Sequence, residues 1–102
     1  MLAIESSCDD TSVAVLKGFE VLSNVIFSQD IHSYYGGVVP EMASRAHIES
    51  IVPTIKASLK ISNIKLNQVE AIAVTQGPGL LGSLLVGHSI AKSLSLALSI
   101  PM

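Results

Sequence analysis

The chain has 102 residues and a mass of 10.7 kDa, which excludes two independent cores, since single domains usually run to about 100–150 residues. Hydrophobic residues make up 49% and charged ones 14%, with a net charge of −2; against the usual ~25% charged, this excludes disorder and makes the chain either unusually buried or a piece of something larger. Six basic residues scattered among eight acidic ones form no stripe for a nucleic-acid backbone.

Leu2-Ala3-Ile4-Glu5 predicts a short buried strand, and the polar cluster Ser6-Ser7-Cys8-Asp9-Asp10-Thr11 predicts a turn. Ser12 to Lys17 is β-branched and apolar, Gly18-Phe19 interrupts it, and Glu20 to Ser28 resumes with Val21, Val25 and Phe27 expected on one face and Leu22 and Ile26 on the other. The pattern predicts a three-strand antiparallel meander. Gln29 to Pro40 is a polar and aromatic loop containing His32, Tyr34, Tyr35, Gly36 and Gly37.

Glu41 to Lys60 predicts a helix, with Ile48, Ile51, Val52, Ile55 and Leu59 at offsets of 3, 4, 7 and 11 as its apolar face. Pro53 removes a hydrogen bond to the carbonyl of Glu49 and predicts a kink or a break. Ser62 to Gln68 is a connection, and Val69 to Thr75 is a strand suited to a sheet interior. From Gly82 to about Ser99 the chain predicts a second helix, apolar nearly all round and therefore covered on more than one side. Ile100-Pro101-Met102 reads as the start of a further strand. The order is β-β-β-α-β-α, an α/β arrangement incomplete at its C-terminal end, within a single subdomain spanning residues 1–102.

Between Glu70 and Lys92 lie 21 residues without a formal charge, long enough for a bilayer. The Gln76-Gly77-Pro78-Gly79 turn inside that window argues against a membrane span, because it would leave backbone groups unpaired in lipid. The single cysteine, Cys8, forms no internal disulfide, and Glu5 with the acids at 9–10 interrupts any signal-peptide core, so a cytoplasmic location is expected.

Gly77-Pro78-Gly79-Leu80-Leu81-Gly82 is a G-x-G-x-x-G run between a strand and a helix. Three strands precede it and no acid follows in 93–102, so the dinucleotide fingerprint is incomplete; Ser83 stands where a Walker A loop has its lysine. Its glycines serve either an anion at a helix N-terminus or a tight turn. Glu5, Asp9 and Asp10 gather around the first turn, where Ser7 and Thr11 could donate hydroxyls and Asp9 or Asp10 act as base or charge stabiliser; capping of that turn is the simpler reading. Cys8 lacks a sequence-adjacent histidine and reads as a small buried residue rather than a nucleophile. His32, His47 and His88, separated by 15 and 41 residues, show no helical ligand spacing, and no metal site is expected within the chain. Tyr34-Tyr35-Gly36-Gly37 with Glu41, Arg45 and His47 suits a mobile substrate-facing loop and helix start, or equally a solvated surface loop.

Three runs together, Ile4-Glu5-Ser6-Ser7-Cys8-Asp9-Asp10-Thr11, then Tyr35-Gly36-Gly37-Val38-Val39-Pro40-Glu41 with Ala43-Ser44-Arg45 and His47, then Thr75-Gln76-Gly77-Pro78-Gly79-Leu80 with Gly82 to Gly87, resemble one family in the right order. It is the bacterial type of the transferases that form threonylcarbamoyladenosine in tRNA, formerly called O-sialoglycoprotein endopeptidases or glycoproteases. Asp10 stands where many members have glutamate, which keeps the carboxylate.

The resemblance implies the RNase-H-like first half of the actin and sugar-kinase superfamily fold. It implies transfer of threonylcarbamoyl from its adenylate to the N6 amine of the adenosine beside the tRNA anticodon. It implies iron or zinc held by residues beyond 102, a smaller non-catalytic paralogue as partner through a helical surface, and an ATPase partner. It carries Asp9 and Asp10 over as active-site carboxylates, with Ser7, Cys8 and Thr11 in the same turn. Tyr35, Gly36, Gly37, Glu41, Arg45 and His47 become cleft or tRNA-side residues, and Gly77, Gly79 and Gly82 shape the cleft floor and helix packing. The chain resembles only the first third of such an enzyme, so it is expected to be inactive alone, and its apolar content predicts self-association. A metalloprotease activity under the older family name and a catalytically silent paralogue acting as an interaction subunit are the alternatives.

Overall fold

Alternation decides which residues of the first strand meet the core. In the computed structural model, which describes residues 1–102, β1 (Leu2–Glu5) turns Leu2 and Ile4 inward, and β2 (Asp10–Lys17) pairs with it antiparallel so that Val15 and Val13 lie opposite them. β3 (Glu20–Ser28) continues the meander antiparallel to β2. The helix α1 (Pro40–Ser62) then leads through a short 3₁₀ turn at Leu66–Gln68 to β4 (Ile72–Val74), and α2 (Leu81–Leu98) follows. The sheet order is β3-β2-β1-β4, with β4 parallel to β1, as a crossover through an intervening helix requires.

Both helices pack on the face that carries Leu2, Ile4, Val13 and Val15; Ile51 and Ile55 of α1, Ala91 of α2, and Val69 and Ile72 complete one core. Each large aliphatic side chain buried there contributes about 1.5–3 kcal/mol relative to exposure. Ala3, Ser12, Ala14 and Ala73 line the opposite, uncovered face of the sheet.

Four sequence expectations are corrected. The register of β2 on β3 shifts between Val15, opposite Ser23, and Leu16, opposite Val21, so Leu22 is an extra residue. This bulge inverts the alternation: Leu22 packs against the core while Val21 is exposed, so Val21 does not share a face with Val25 and Phe27. The buried stripe of α1 is Ala43, His47, Ser50, Ile51, Thr54, Ile55 and Ser58, whereas Ile48 and Val52, at 63% and 44% exposure, stand outside the core. Polar residues claim part of the inner stripe because the strands below present polar groups to it: Ser58 donates to the Val13 carbonyl and meets the Ser23 hydroxyl. Of the kink or break expected at Pro53 the break does not occur, since α1 runs on through it; Pro53 is exposed like Glu49, which leaves that carbonyl to water. The helix ends instead at Asn63, whose φ of 57° closes it with its own N–H. β4 is three residues long and occupies an edge rather than the sheet interior; its Ile72 N–H is taken by the Pro101 carbonyl at 2.9 Å.

α2 buries only Ser83, Gly87 and Ala91, one stripe at four-residue spacing, and is open elsewhere. By length and composition it is able to cross a membrane. The Gly77–Gly79 loop lies before this helix rather than within it, so the turn is no argument against a span; the helix packs through its small-residue stripe on β1, β4 and α1.

Two glycines make that packing possible. A Cβ on Gly79 would lie 2.5 Å from the Ser7 carbonyl oxygen, and one on Gly87 would overlap the Ser6 hydroxyl, whereas one on Gly77 would meet nothing within 4 Å. Gly79→Ala and Gly87→Ala are therefore expected to destabilise by about 1–3 kcal/mol each through forced displacement, and Gly77→Ala to stay within about 0.5 kcal/mol. Urea midpoints of the three variants check this ordering; equal midpoints would contradict it.

Candidate active site

Inward parity continues past the end of β1: after Leu2 and Ile4 comes Ser6, so its hydroxyl is delivered to α2 rather than to solvent. It donates to the Ser83 carbonyl at 2.7 Å and accepts from the Gly87 N–H at 3.1 Å, bridging two groups that face one another along the helix. The next residue secures the turn in two directions. The Ser7 N–H and hydroxyl both donate to the Glu5 carboxylate, at 2.7 and 2.9 Å. The Ser7 carbonyl accepts the Leu80 N–H at 2.7 Å, so the glycine loop docks directly on the turn.

The other end of the turn is tied to α1. Thr11, on the inward face of β2 with Val13 and Val15, places its hydroxyl 2.6 Å from His47 Nδ1 and 2.8 Å from the Ser50 hydroxyl. His47 Nε2 lies 2.8 Å from the Cys8 carbonyl. A carbonyl only accepts, so Nε2 carries the ring proton, and in the neutral ring Nδ1 accepts from Thr11. His47 and Thr11 are fully buried. Removing either would orphan a buried partner at about 1–3 kcal/mol.

Between these anchors stand Asp9, half-buried, and Asp10, exposed at the start of β2 opposite Ser28. Neither carboxylate is in a salt bridge; Glu41–Arg45, at 2.7 Å on the solvent side of α1, is the one ion pair, and an exposed pair of this kind contributes only about 0.3–0.5 kcal/mol. Burial, reinforced by the Asp9 carboxylate beside it, pushes the Cys8 thiol above its ordinary value, so Cys8 stays protonated near neutrality and is not an activated nucleophile.

The structure divides the sequence candidates. Ser7, Cys8, Asp9, Asp10 and Thr11 share one turn, which Gly79 and Leu80 abut. Gly82 lies against Ser44, where a Cβ would come within 3.3 Å, and Gly77 is in open space. His47 faces inward, with its ring nitrogens engaged by the Thr11 hydroxyl and the Cys8 carbonyl. Tyr35 is exposed on a 3₁₀ turn (Ile31–Tyr35) closed by Gly36 at φ 72°, with Gly37 after it, and Glu41 and Arg45 project from the first turns of α1. Sequence reasoning missed Ser6, Ser50, Gln29 and His32; for Ser6 the signal was available, since it extends the Leu2–Ile4 alternation.

No three His, Cys, Asp or Glu side chains gather in a way that could hold a metal, and both ring nitrogens of His32 and of His47 are occupied by partners from the chain itself. These residues do not fit an iron or zinc centre, and no step below passes through one.

A sequence profile of the tRNA N6-adenosine threonylcarbamoyltransferase family matches residues 20–102. Proteins of that name from Porphyromonas gingivalis and Staphylococcus haemolyticus are 60% and 54% identical over 102 and 104 residues, covering all of this chain, which spans 30% of their length. Among solved structures, YeaZ from Pseudomonas aeruginosa superimposes with a TM-score of 0.76 at 24% identity over 99% of this chain and 41% of its own. That likeness places the fold in the actin-like, RNase-H-like class.

The protonated state of Cys8 has a direct readout. Its alkylation by iodoacetamide is expected to be slow at pH 7 and to rise only above the pH at which an unperturbed thiol reacts. Asp9→Asn, which removes the neighbouring charge, moves that rise to lower pH. A rate at pH 7 equal to that of a free thiol, or a profile unmoved by Asp9→Asn, would refute the assignment.

Proposed function

The chain belongs to the tRNA N6-adenosine threonylcarbamoyltransferase family, and from that membership we propose that it supplies the first subdomain of an enzyme that moves threonylcarbamoyl from its adenylate to the N6 amine of the adenosine beside the tRNA anticodon. The observation that carries this reading is the anchored turn: Ser6–Thr11 is tied to both helices while Asp9 and Asp10 keep carboxylates free of ion pairs. A carboxylate held on rigid elements and free of ion pairs is available for substrate.

In the proposed reaction the amine nitrogen attacks the carbamoyl carbon, the bond to the adenylate phosphate oxygen breaks, and AMP leaves with its electron pair. Asp9 or Asp10 takes the proton lost from the amine, a step that contributes about 10²–10⁴-fold. His47, Thr11 and Ser6 fix the turn, and Ser7 presents its hydroxyl to Glu5 and its carbonyl to Leu80. The Tyr35–Gly37 loop with Glu41 and Arg45 forms the tRNA side. The adenylate, the smaller paralogue and the ATPase partner complete the assembly, which works in the cytoplasm on its tRNA, with iron or zinc bound outside these residues.

The paralogue's seat is the outer surface of the helices. Ile48 of α1 and Leu85, Val86 and Ile90 of α2 line an open groove of about 550 Å³ together with Gly82 and Ser89. Such a surface, without a charge in its lining, suits a partner helix. A silent interaction subunit is the second reading, but 60% identity over this chain to a protein named as the transferase favours the catalytic one.

Three outcomes test this. In the full-length enzyme with its partners and adenylate, Asp9→Asn and Asp10→Asn are each expected to change thermal stability little, and the weaker of the two to lower threonylcarbamoyladenosine formation at least about 100-fold by nucleoside mass spectrometry. The 102-residue chain alone should form none; product from it would refute the expectation that this subdomain needs the rest of the enzyme. Leu85→Glu places a charge in the apolar groove and should weaken association with the paralogue, or of the chain with itself, by ten-fold or more in sedimentation experiments. An unchanged sedimentation profile would remove the groove from the interface.

A further inference from the structure

A polar loop has no need for a buried histidine, yet the segment between β3 and α1 contains one. His32 is almost fully buried, as is Gln29. The Val39 N–H donates to His32 Nδ1 at 3.1 Å. An amide N–H only donates, so Nδ1 is the bare nitrogen and the ring proton sits on Nε2, which meets Gln29 Oε1 at 2.6 Å. With its oxygen so used, Gln29 turns its amide nitrogen to the Ala43 carbonyl in the first turn of α1, at 3.2 Å. The His32 carbonyl accepts the Gly37 N–H at 3.3 Å, and Gly36, in the left-handed region at φ 72°, closes the 3₁₀ turn. Both ring nitrogens, both ends of the glutamine amide and the backbone on either side of the glycine pair are therefore committed to one closed chain of contacts.

What this chain of contacts holds is the opposite of buried. Tyr34 and Tyr35 are 85% and 63% exposed on the turn that it encloses, and they are the only two tyrosines in the protein. Large rings with polar tips, kept in solvent on a rigid turn, lose little conformational entropy on contact and present faces on which an unstacked base can lie. We propose that Gln29 and His32 are positioning residues for RNA: they clamp the 30–39 loop to α1 and hold Tyr34 and Tyr35 as a preformed stacking surface for unpaired bases of an anticodon loop. This rests on the transferase reading for the identity of the RNA, but not for the clamp itself.

The experiment uses the full-length protein with its partners and two probes, intact tRNA and an isolated anticodon stem-loop RNA. Gln29→Ala and His32→Ala are compared with Tyr34→Ser and Tyr35→Ser for stem-loop binding, for KM and kcat with tRNA, and for amide exchange at Val39 and Gly37. The expected result is at least ten-fold weaker stem-loop binding and a matching rise in KM for tRNA, with kcat and the KM for the adenylate within about two-fold. It also includes faster exchange at Val39 in the His32 variant, and ring ¹⁵N shifts of wild-type His32 that report the Nε2–H form. Should His32→Ala fail to fold, Gln29→Ala, which leaves the Val39 contact in place, carries the test. Unchanged stem-loop binding in Gln29→Ala, or in His32→Ala when Val39 exchange is faster, or in both tyrosine variants, overturns the proposal. If wild-type enzyme modifies no tRNA but stem-loop binding still depends on Gln29, His32 and the tyrosines, the clamp stands and the transferase reading falls.

Discussion

The hydroxyl of Ser6 joins the end of β1 to the middle of α2. It is too short to reach the helix unless the helix lies almost in contact with the strand, and the helix lies there only because position 87 has no side chain. That single close approach sets the height of α2 over the sheet. It also brings the glycine loop down to Ser7, where Gly79 is required for the same reason. The hydrogen bond from Leu80 to the Ser7 carbonyl then locks the start of α2 to the same turn. Each hydrogen bond is worth only about 0.5–1.5 kcal/mol net; their weight lies in being buried, where an unmade partner is costly.

The same logic operates one strand over. Thr11 and Ser23 sit on the inward face of the sheet, and α1 answers them with His47, Ser50 and Ser58. The core thus has an aliphatic centre of Leu2, Ile4, Val13, Val15, Ile51 and Ile55 with polar clamps above and below it. Clamps of this kind discriminate registers more strictly than aliphatic packing, because a slipped polar group finds no partner. Rigidity in the turn follows, while the carboxylates of Asp9 and Asp10 take part in no ion pair.

Low charge and high apolar content acquire a spatial meaning. Part of the hydrophobic content missing from the core stands on the outer sides of the helices, Ile48 and Val52 on α1 and Leu81, Leu85 and Leu96 on α2, and part on β3, at Val21, Ile26 and Phe27. Apolar patches of this size on a small chain mark contact surfaces. Unpaired carboxylates at one end of the sheet and an uncharged helical surface beside it can serve separate contacts because the clamps isolate the turn from whatever covers the helices.

Strand positions, both helices, the strand-to-helix context of the glycine loop and the family itself were legible in the sequence, because each depends on local periodicity or on residue types at short spacing. The faces were not. Val21 and Leu22 exchange places through a bulge whose cause is pairing with β2, and the apolar stripe of α1 rotates toward Ser50, Thr54 and Ser58 because polar groups wait opposite them. The turn at residues 6–11 was recognisable as chemistry-bearing, but its anchoring through Ser6 and His47 joins residues 36 to 81 positions apart. The sequence by itself therefore determined the elements and the family, which are read from neighbours along the chain. Only the tertiary structure decided which hydroxyls and imidazoles are spent on holding the turn and which carboxylates stay free of ion pairs, because a hydrogen-bonding group is free or committed only with respect to partners that folding brings into contact.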